Sequence, residues 1–526
     1  MNQPLLYTTL VAAAMSSCAG VNSDTSRPNI IYILADDLGY GDTGVYGAEK
    51  IKTPNIDHFA TQGRRFTDAH SASAVSTPSR YSLLTGEYPF RALNTKTNKI
   101  GIYGPIAPQS PLLIDTEDLS MPEMLQRSGY KTACVGKWHL GFTETEPDWN
   151  ESLSPGPLEV GFDYYFGVPI VNSAPPYVYV ENDRVVGADP ADPIVYEGRN
   201  TKKPTTPINE YPDKNSNWYS GGEYAHSLYK DEGGGEVLLD KALSWIDGNK
   251  KEPFFLYFAT THIHHPFTPS DRFKGSSEAG IYGDYVQELD WLIGEMMTYL
   301  DDNGLSDNTI VVITSDNGGM MNHGGQAAWE LGHDINGDLL GYKFGVWEGG
   351  HRVPFIVRWP GVVEAGSVSD ELIVNVDMMA TFASIVGYEL EEGDAPDSFD
   401  VLESWVGRPT EPIRSSFVMT PFKPQNIGLR EGDWIYIPAQ GAGGFTNNNW
   451  GVNPLSAEGA VAHTGRKNSD IVEGGKIRDG APKSQLYNLA KDPYQTTNVI
   501  LQNVEVAIKM NKTLTQIREV DHTRAY

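Results

Sequence analysis

Residues 29–37 read Asn-Ile-Ile-Tyr-Ile-Leu-Ala-Asp-Asp, an apolar, β-branched run that ends in two carboxylates. Its apolar residues do not alternate with polar ones. The strand it predicts must therefore be covered on both faces, as in a parallel sheet flanked by helices. Three further runs repeat the pattern. Lys131 to Val135 (KTACV) leads into Gly136-Lys137-Trp138-His139, and Phe254 to Thr260 (FFLYFAT) into Thr261-His262-Ile263-His264-His265-Pro266. Thr309 to Thr314 (TIVVIT) leads into Ser315-Asp316-Asn317-Gly318-Gly319. Helical spacing precedes each later run, over Met121–Ser128, Gly234–Gly248 and Tyr282–Asn303, the last followed by Gly304 as a stop. This alternation predicts an α/β fold with a mainly parallel, mixed sheet between helices. Ligands gather at the carboxyl ends of such strands. Here those ends carry carboxylates, a lysine and histidines, which predicts one shared site.

The chain has 526 residues, with 40 Lys plus Arg against 68 Asp plus Glu and a net charge of −28. Such a field repels nucleic acid and anionic membrane surfaces, so no nucleic-acid partner is expected. The two cysteines, Cys18 and Cys134, belong to no cluster of zinc-binding spacing. Leu5 to Met15 is an apolar run shorter than the ~18 residues a membrane span needs, and it ends in Ser16-Ser17-Cys18. Residues 1–18 thus read as an export signal. They resemble a bacterial lipoprotein leader with Cys18 lipidated as the first mature residue; a plain secretory signal is the alternative. The expected location is the periplasm or the outer-membrane surface. Residues 19–27 read as a tether, 28–400 as the catalytic domain and 401–526 as a C-terminal subdomain. In the latter, strands are expected over Ser415–Pro421 and Asn426–Pro438, and a helix from Asn503.

Asp36, Asp37, Asp316 and Asn317 would bring three carboxylates and an amide together. Unpaired carboxylates repel, so a cation is expected among them. Hard oxygen donors suit calcium or magnesium rather than zinc. Between the first two strands lies Ala74-Val75-Ser76-Thr77-Pro78-Ser79-Arg80, followed by Leu83-Leu84-Thr85-Gly86. A helix starting near Pro78 would place Ser76 at the positive end of its dipole, beside Arg80, where an oxyanion binds. The plainer alternative is that Ser76 caps the helix.

This segment resembles the signature of the formylglycine-dependent (type I) sulfatases of the alkaline phosphatase superfold: Cys or Ser, any residue, Pro, any residue, Arg, then Leu-Thr-Gly. The likeness extends along residues 28 to 500 through Asp36-Asp37, Thr53-Pro54-Asn55-Ile56-Asp57, Gly136-Lys137-Trp138-His139-Leu140-Gly141 and His264 before Pro266. It continues through Asp316-Asn317-Gly318, Lys343 with Trp347-Glu348-Gly349-Gly350 and Arg352-Val353-Pro354, and Leu486-Tyr487-Asn488-Leu489 with Asp492-Pro493. The resemblance implies one Ca2+ held by Asp36, Asp37, Asp316, Asn317 and position 76. It also implies a formylglycine-generating enzyme that oxidises Ser76 to formylglycine (3-oxoalanine). Many members carry cysteine there, and this chain carries serine.

A sulfate ester resists anionic nucleophiles, and plain serine is a poor one. An aldehyde at position 76 hydrates to a geminal diol: one hydroxyl attacks sulfur, and deprotonation of the other re-forms the aldehyde and expels sulfate. By resemblance His139 is the base for that elimination and His264 the proton donor to the leaving alcohol, with His262 as runner-up. Imidazoles of pKa ~6.5 suit both tasks. Lys137, Lys343 and Arg80 would neutralise the sulfate, and Glu348 would support a neighbour. His333 and Asn336 are singled out as readers of the sugar. Phe445 or Trp450, in a Gly- and Asn-rich loop, would stack on it unless that loop is merely surface. The Pro169–Tyr229 insert is a further candidate wall.

The expected substrate is a sulfated polysaccharide or oligosaccharide, such as an algal glycan, a glycosaminoglycan or mucin. Two rivals stand beside it: a phosphate or phosphonate ester hydrolase of the same superfold, and an inactive glycan-binding homologue in which Ser76 stays unmodified.

Overall fold

The computed structural model describes residues 27–94, 99–174, 176–191, 193–194, 229, 232–445 and 457–524. The leader with Cys18, most of the insert before Tyr229 and Trp450 lie outside the described residues. All four apolar runs form strands: Asn29–Ala35, Lys131–Lys137, Phe254–Ala259 and Thr309–Ser315. They sit side by side at the centre of a ten-stranded sheet, in the order Thr309–Ser315, Asn29–Ala35, Phe254–Ala259, Lys131–Lys137, all parallel. Tyr164–Val168 continues the parallel set beside Lys131–Lys137. On the other side Phe355–Arg358 pairs antiparallel with Thr309–Ser315, which makes the sheet mixed.

Every residue of these central strands but Lys131 is buried, because helices cover both faces. Ile30, Tyr32 and Leu34 point to one core with helices Met121–Arg127 and Met378–Val386. Ile31 and Ile33 point to the other, against helices Pro54–Gln62, Gly234–Asn249 and Gly280–Asp302. The strand's period of two divides one apolar run between two cores. No helix among the described residues is long and apolar enough to cross a membrane.

The C-terminal part builds a four-stranded antiparallel sheet from Ser416–Met419, Gly428–Glu431, Trp434–Ile437 and Gln485–Asn488. Helix Val504–Glu519 contributes Ala507, Met510 and Leu514 to the core beneath it. Trp405, five residues beyond the expected seam at 400, packs edgewise or tilted against Phe355 and Phe382 of the larger unit. The C-terminal part also grips the segment that leads to Ser76. Ser73 Oγ and Ala74 N–H donate to the Thr420 carbonyl at 2.8 and 3.1 Å.

Candidate active site

The strand ends converge as their spacing implied. Asp36 and Asp37 follow the Asn29–Ala35 strand, Asp316 and Asn317 follow Thr309–Ser315, Lys137 closes Lys131–Lys137, and His264 follows Phe254–Ala259. The helix expected near Pro78 spans Ser76–Thr85 and so begins at Ser76 itself, two residues before the expected start. Proline is tolerated there because first-turn amides need no intrahelical acceptor. Ser76 is not the cap: Val75 holds that position, and Ser76 is the first helical residue. Instead Ser76 Oγ lies 3.4 Å from Asp36 Oδ1 and 3.2 Å from Asn317 Oδ1.

Three buried cations meet three buried carboxylates. Lys137 Nζ donates to both oxygens of Asp36 at 2.9 and 2.8 Å. Arg80 donates from Nη2 and Nε to Asp316 Oδ2 at 2.9 and 3.2 Å. Lys343 Nζ reaches Asp37 Oδ1 at 2.5 Å. Burial pulls Lys137 down to about 8, with Arg80 and Lys343 adding to the fall and Asp36 opposing it. Lys343 feels the same burial, but Asp37, Asp36 and Asp316 outweigh it and hold its pKa up. The three cations thus balance the three carboxylates in a buried, paired cluster.

One carboxylate oxygen of each of Asp36, Asp37 and Asp316 lies within 4.8 Å of the others. Asp37 Oδ2 is buried with no hydrogen-bond partner among the described residues, and Asn317 lies against Asp37 Oδ1 at 2.9 Å. An oxygen-only donor set with an orphaned carboxylate atom fits a hard divalent cation such as calcium. Asp36, Asp37, Asp316 and Asn317 would hold it, with position 76 alongside.

Both expected histidines are present. His264 Nδ1 donates to the His265 carbonyl at 2.6 Å, which leaves Nε2 bare and 3.8 Å from Asp37 Oδ2. His139 is buried, and its Nδ1 has no partner among the described residues. Burial, reinforced by Lys137 and Arg80, holds His139 well below the ordinary imidazole range; burial, then Lys343 and Lys137, does the same to His264. Asp37, His139 and Phe344 adopt left-handed φ of 66°, 60° and 78°. Such conformations cost about 1–3 kcal/mol each and persist where surrounding structure dictates them, as at reactive centres.

His333 and Asn336, expected to read the sugar, have partners within the fold. His333 Nε2 pairs with Asp42 Oδ1 at 2.8 Å, and Tyr282 Oη donates to the other oxygen of Asp42 at 2.6 Å. Asn336, 0% exposed, accepts from Gly319 N–H at 2.9 Å and donates to the Gly341 carbonyl at 3.1 Å. His333 Nε2 and the Asn336 amide thus brace the loops behind Asp37 and Asn317. His262, the runner-up, packs on Tyr285 and is 3.7 Å from Glu288. Phe445 packs on Phe344 and Phe422, next to Lys343. Glu348 takes the supporting part: its Oε2 accepts from Arg352 Nε at 2.7 Å.

One residue was missed. Asn375 accepts from Ala72 N–H at 2.8 Å and donates to Ser79 O and Oγ at 3.1 and 3.0 Å, tying together both flanks of Ser76. A lone asparagine between two valines carries no signal of this kind.

A family model for Sulfatase matches residues 28–388. An N-acetylgalactosamine-6-O-sulfatase of Bacteroides thetaiotaomicron is 38% identical over 518 residues, 94% of each chain. Human N-acetylgalactosamine-6-sulfatase is 35% identical over 393 residues, 73% of this chain and 66% of that one. A solved Bacteroides thetaiotaomicron "6S-sulf" structure, from a locus that orchestrates metabolism of multiple glycosaminoglycans, superposes with a TM-score of 0.79 at 36% identity, covering 94% of this chain and all of the other. Phosphonate monoester hydrolase of Agrobacterium radiobacter shares the fold at a TM-score of 0.55 and 19% identity, so fold alone leaves sulfuryl and phosphoryl chemistry undivided. The full-length identity to a sulfatase divides them: the chain belongs to the sulfatase family.

Proposed function

We propose that this chain removes a 6-O-sulfate from N-acetylgalactosamine in a sulfated glycan, through formylglycine made from Ser76. The position of Ser76 carries the reading. Its Oγ faces Asp36 and Asn317 at the mouth of a carboxylate cage that Arg80, Lys137 and Lys343 surround. The full-length likeness to an N-acetylgalactosamine-6-O-sulfatase supports the choice of sugar.

Bound calcium would supply Lewis-acid charge that makes the attacking hydroxyl easier to deprotonate and draws density from the sulfuryl oxygens. The formylglycine hydrate offers two hydroxyls, one to attack sulfur and one whose deprotonation expels sulfate. The remaining work falls to this chain's own side chains. Lys137 and Lys343 face the incoming sulfate, while Arg80 stays locked on Asp316 and fixes the floor of the pocket. His139 is neutral and buried, so it can accept a proton. His264 must carry a proton on Nε2 to donate to the leaving alcohol. A sulfate ester's negative charge opposes Lys343 and Lys137, the lysines that depress His264, and so favours that proton.

Ser76 is only 2% exposed, so its oxidation is expected on the unfolded chain, by a maturating enzyme acting before the fold closes. Export with a lipid anchor at Cys18 belongs to the same reading, because a glycan-degrading enzyme must meet a polymer outside the cytoplasm.

Protein purified from the native host tests this in two arms. The Ser76 peptide should weigh less than its encoded mass by two hydrogens. The protein should cleave 6-sulfated N-acetylgalactosamine in preference to its 4-sulfated isomer and its 6-phosphate. Unmodified Ser76 would favour the inactive glycan-binding alternative, and preference for the phosphate would favour the phosphoryl hydrolase. Labelling of wild-type protein, but not a Cys18→Ala variant, with a fatty acid tests the anchor.

A further inference from the structure

A second group of metal-binding side chains lies outside the sulfate pocket. His70 ends the short strand Ala69–His70, and Glu348 and His351 open and close the helical turn Glu348–His351. Their exposures are 1%, 0% and 1%. Each offers one ligand atom, and the three atoms lie within 4.8 Å of one another.

Hydrogen bonds fix the tautomers. His70 Nε2 is 2.8 Å from Asp68 Oδ1, so it carries the hydrogen. Arg430 Nη1 also approaches Nε2, at 3.2 Å, but it already donates to Asp68 Oδ1 at 2.7 Å. His351 Nε2 is 3.1 Å from the Val346 carbonyl, which can only accept. With both Nε2 atoms protonated, neutral rings present bare Nδ1 atoms, and these face each other at 3.0 Å. Two lone pairs at that distance repel unless a cation lies between them. Both rings are only 1% exposed, and burial of this kind disfavours the extra proton that would otherwise bridge them. Glu348 supplies a third lone pair: its Oε1 is buried with no hydrogen-bond partner among the described residues.

We propose that His70 Nδ1, His351 Nδ1 and Glu348 Oε1 bind a zinc-class divalent cation, a structural site separate from the calcium cage. Two imidazoles and one carboxylate suit zinc-class ions rather than calcium. Zinc bonds of ~2.05 Å at a tetrahedral angle set nitrogens ~3.3 Å apart, close to the observed spacing. Asp68 and the Val346 carbonyl already accept the far N–H of each ring, the support that ligating histidines usually have. Asp68 and Glu348 are balanced by Arg352 and Arg430, so the ion's own charge stays uncompensated and its binding is weaker than at an all-anionic site. The ion would pin the segment leading to Ser76, where Ser71 N–H donates to the His351 carbonyl at 2.8 Å, to the turn that follows Lys343.

The test uses full-length protein stripped by chelator and then saturated with Ca2+ to fill the oxygen cage. Titrated Co2+ should bind at one equivalent, with the visible bands of a low-coordinate nitrogen–oxygen site, and Zn2+ should displace it. His351→Gln should lose that equivalent and the accompanying rise in Tm. No Co2+ binding by the wild type, or equal binding by His351→Gln, overturns the proposal. If His351→Gln does not fold, the zinc X-ray absorption spectrum of the wild type decides. Two imidazoles and one carboxylate oxygen at ~2.0–2.2 Å support the site, and any other ligand set overturns it. Each readout reports metal rather than sulfatase activity, so failure here leaves the proposed reaction intact.

Discussion

Replacing Asn336 with alanine separates a brace from a sugar contact. In the structure its amide satisfies two buried backbone groups, the Gly319 N–H at 2.9 Å and the Gly341 carbonyl at 3.1 Å. Alanine leaves both without a partner in a position that is 0% exposed. Each stranded group costs about 1–3 kcal/mol, and a water entering the vacated volume would recover part of that, so a net loss of about 2–4 kcal/mol is expected. Gly319 lies two residues after Asn317, so the loop that carries the metal-facing pair should shift. A displacement near 1 Å at reacting groups lowers kcat by about a hundredfold. KM for the sulfated sugar should change by less than about twofold, because uniform substrate binding is untouched. Asn336→Asp keeps the acceptor for Gly319 but sets a buried carboxylate oxygen against the Gly341 carbonyl, so it should lose at least as much stability as alanine. Urea unfolding and steady-state kinetics on the same preparations measure all three quantities. A KM raised about tenfold or more with unchanged stability and kcat would refute the bracing argument and restore Asn336 as a reader of the sugar.

Gly136 sits at φ 120°, and a Cβ there would lie 1.8 Å from the Ala259 carbonyl oxygen. Gly136→Ala should therefore cost several kcal/mol, about 1–3 from the backbone conformation and a similar amount from the clash, and should displace Lys137; denaturant unfolding would show it. Burial raises Glu87 to about 7, while the Tyr81 hydroxyl, donating at 2.5 Å, opposes the rise. An acid raised in the fold contributes its stability below its unfolded pKa and loses it as pH climbs through the folded value. Wild-type stability should thus fall by about 1–3 kcal/mol between pH 4.5 and 7 on this account, and Glu87→Gln should flatten that slope in unfolding titrations. Chelation should abolish turnover and lower Tm, because Asp36, Asp37 and Asp316 then repel; calcium should restore both better than magnesium, as read by activity and thermal unfolding.

Much of the site was legible because its residues sit where local sequence dictates their placement. A parallel strand needs an unbroken apolar run, so its end is visible, and ligands gather at such ends. Asp36, Asp37, Lys137, His264, Asp316 and Asn317 each follow or close a run of this kind. The start of the Ser76–Thr85 helix was read late because Pro78 marks a first turn without saying which of its positions it occupies. The partners of His333 and Asn336 were not legible for a different reason. Nearness in sequence to Lys343 and Asn317 says nothing about which way a side chain points, and the Gly319 N–H and Asp42 that they satisfy lie on other loops.

The sequence alone therefore determined the alternation of strand and helix, the identity of the acidic pairs and the family, since these rest on residue type and short spacing. Only the tertiary structure decided how charge is distributed among partners 40 to 306 positions apart, such as Ser76 with Asp36 and Lys343 with Asp37. Burial and hydrogen bonding are properties of the assembled fold. The same residue type can hold a proton, brace a loop or meet another lone pair at 3.0 Å, as His264, His333 and His70 do.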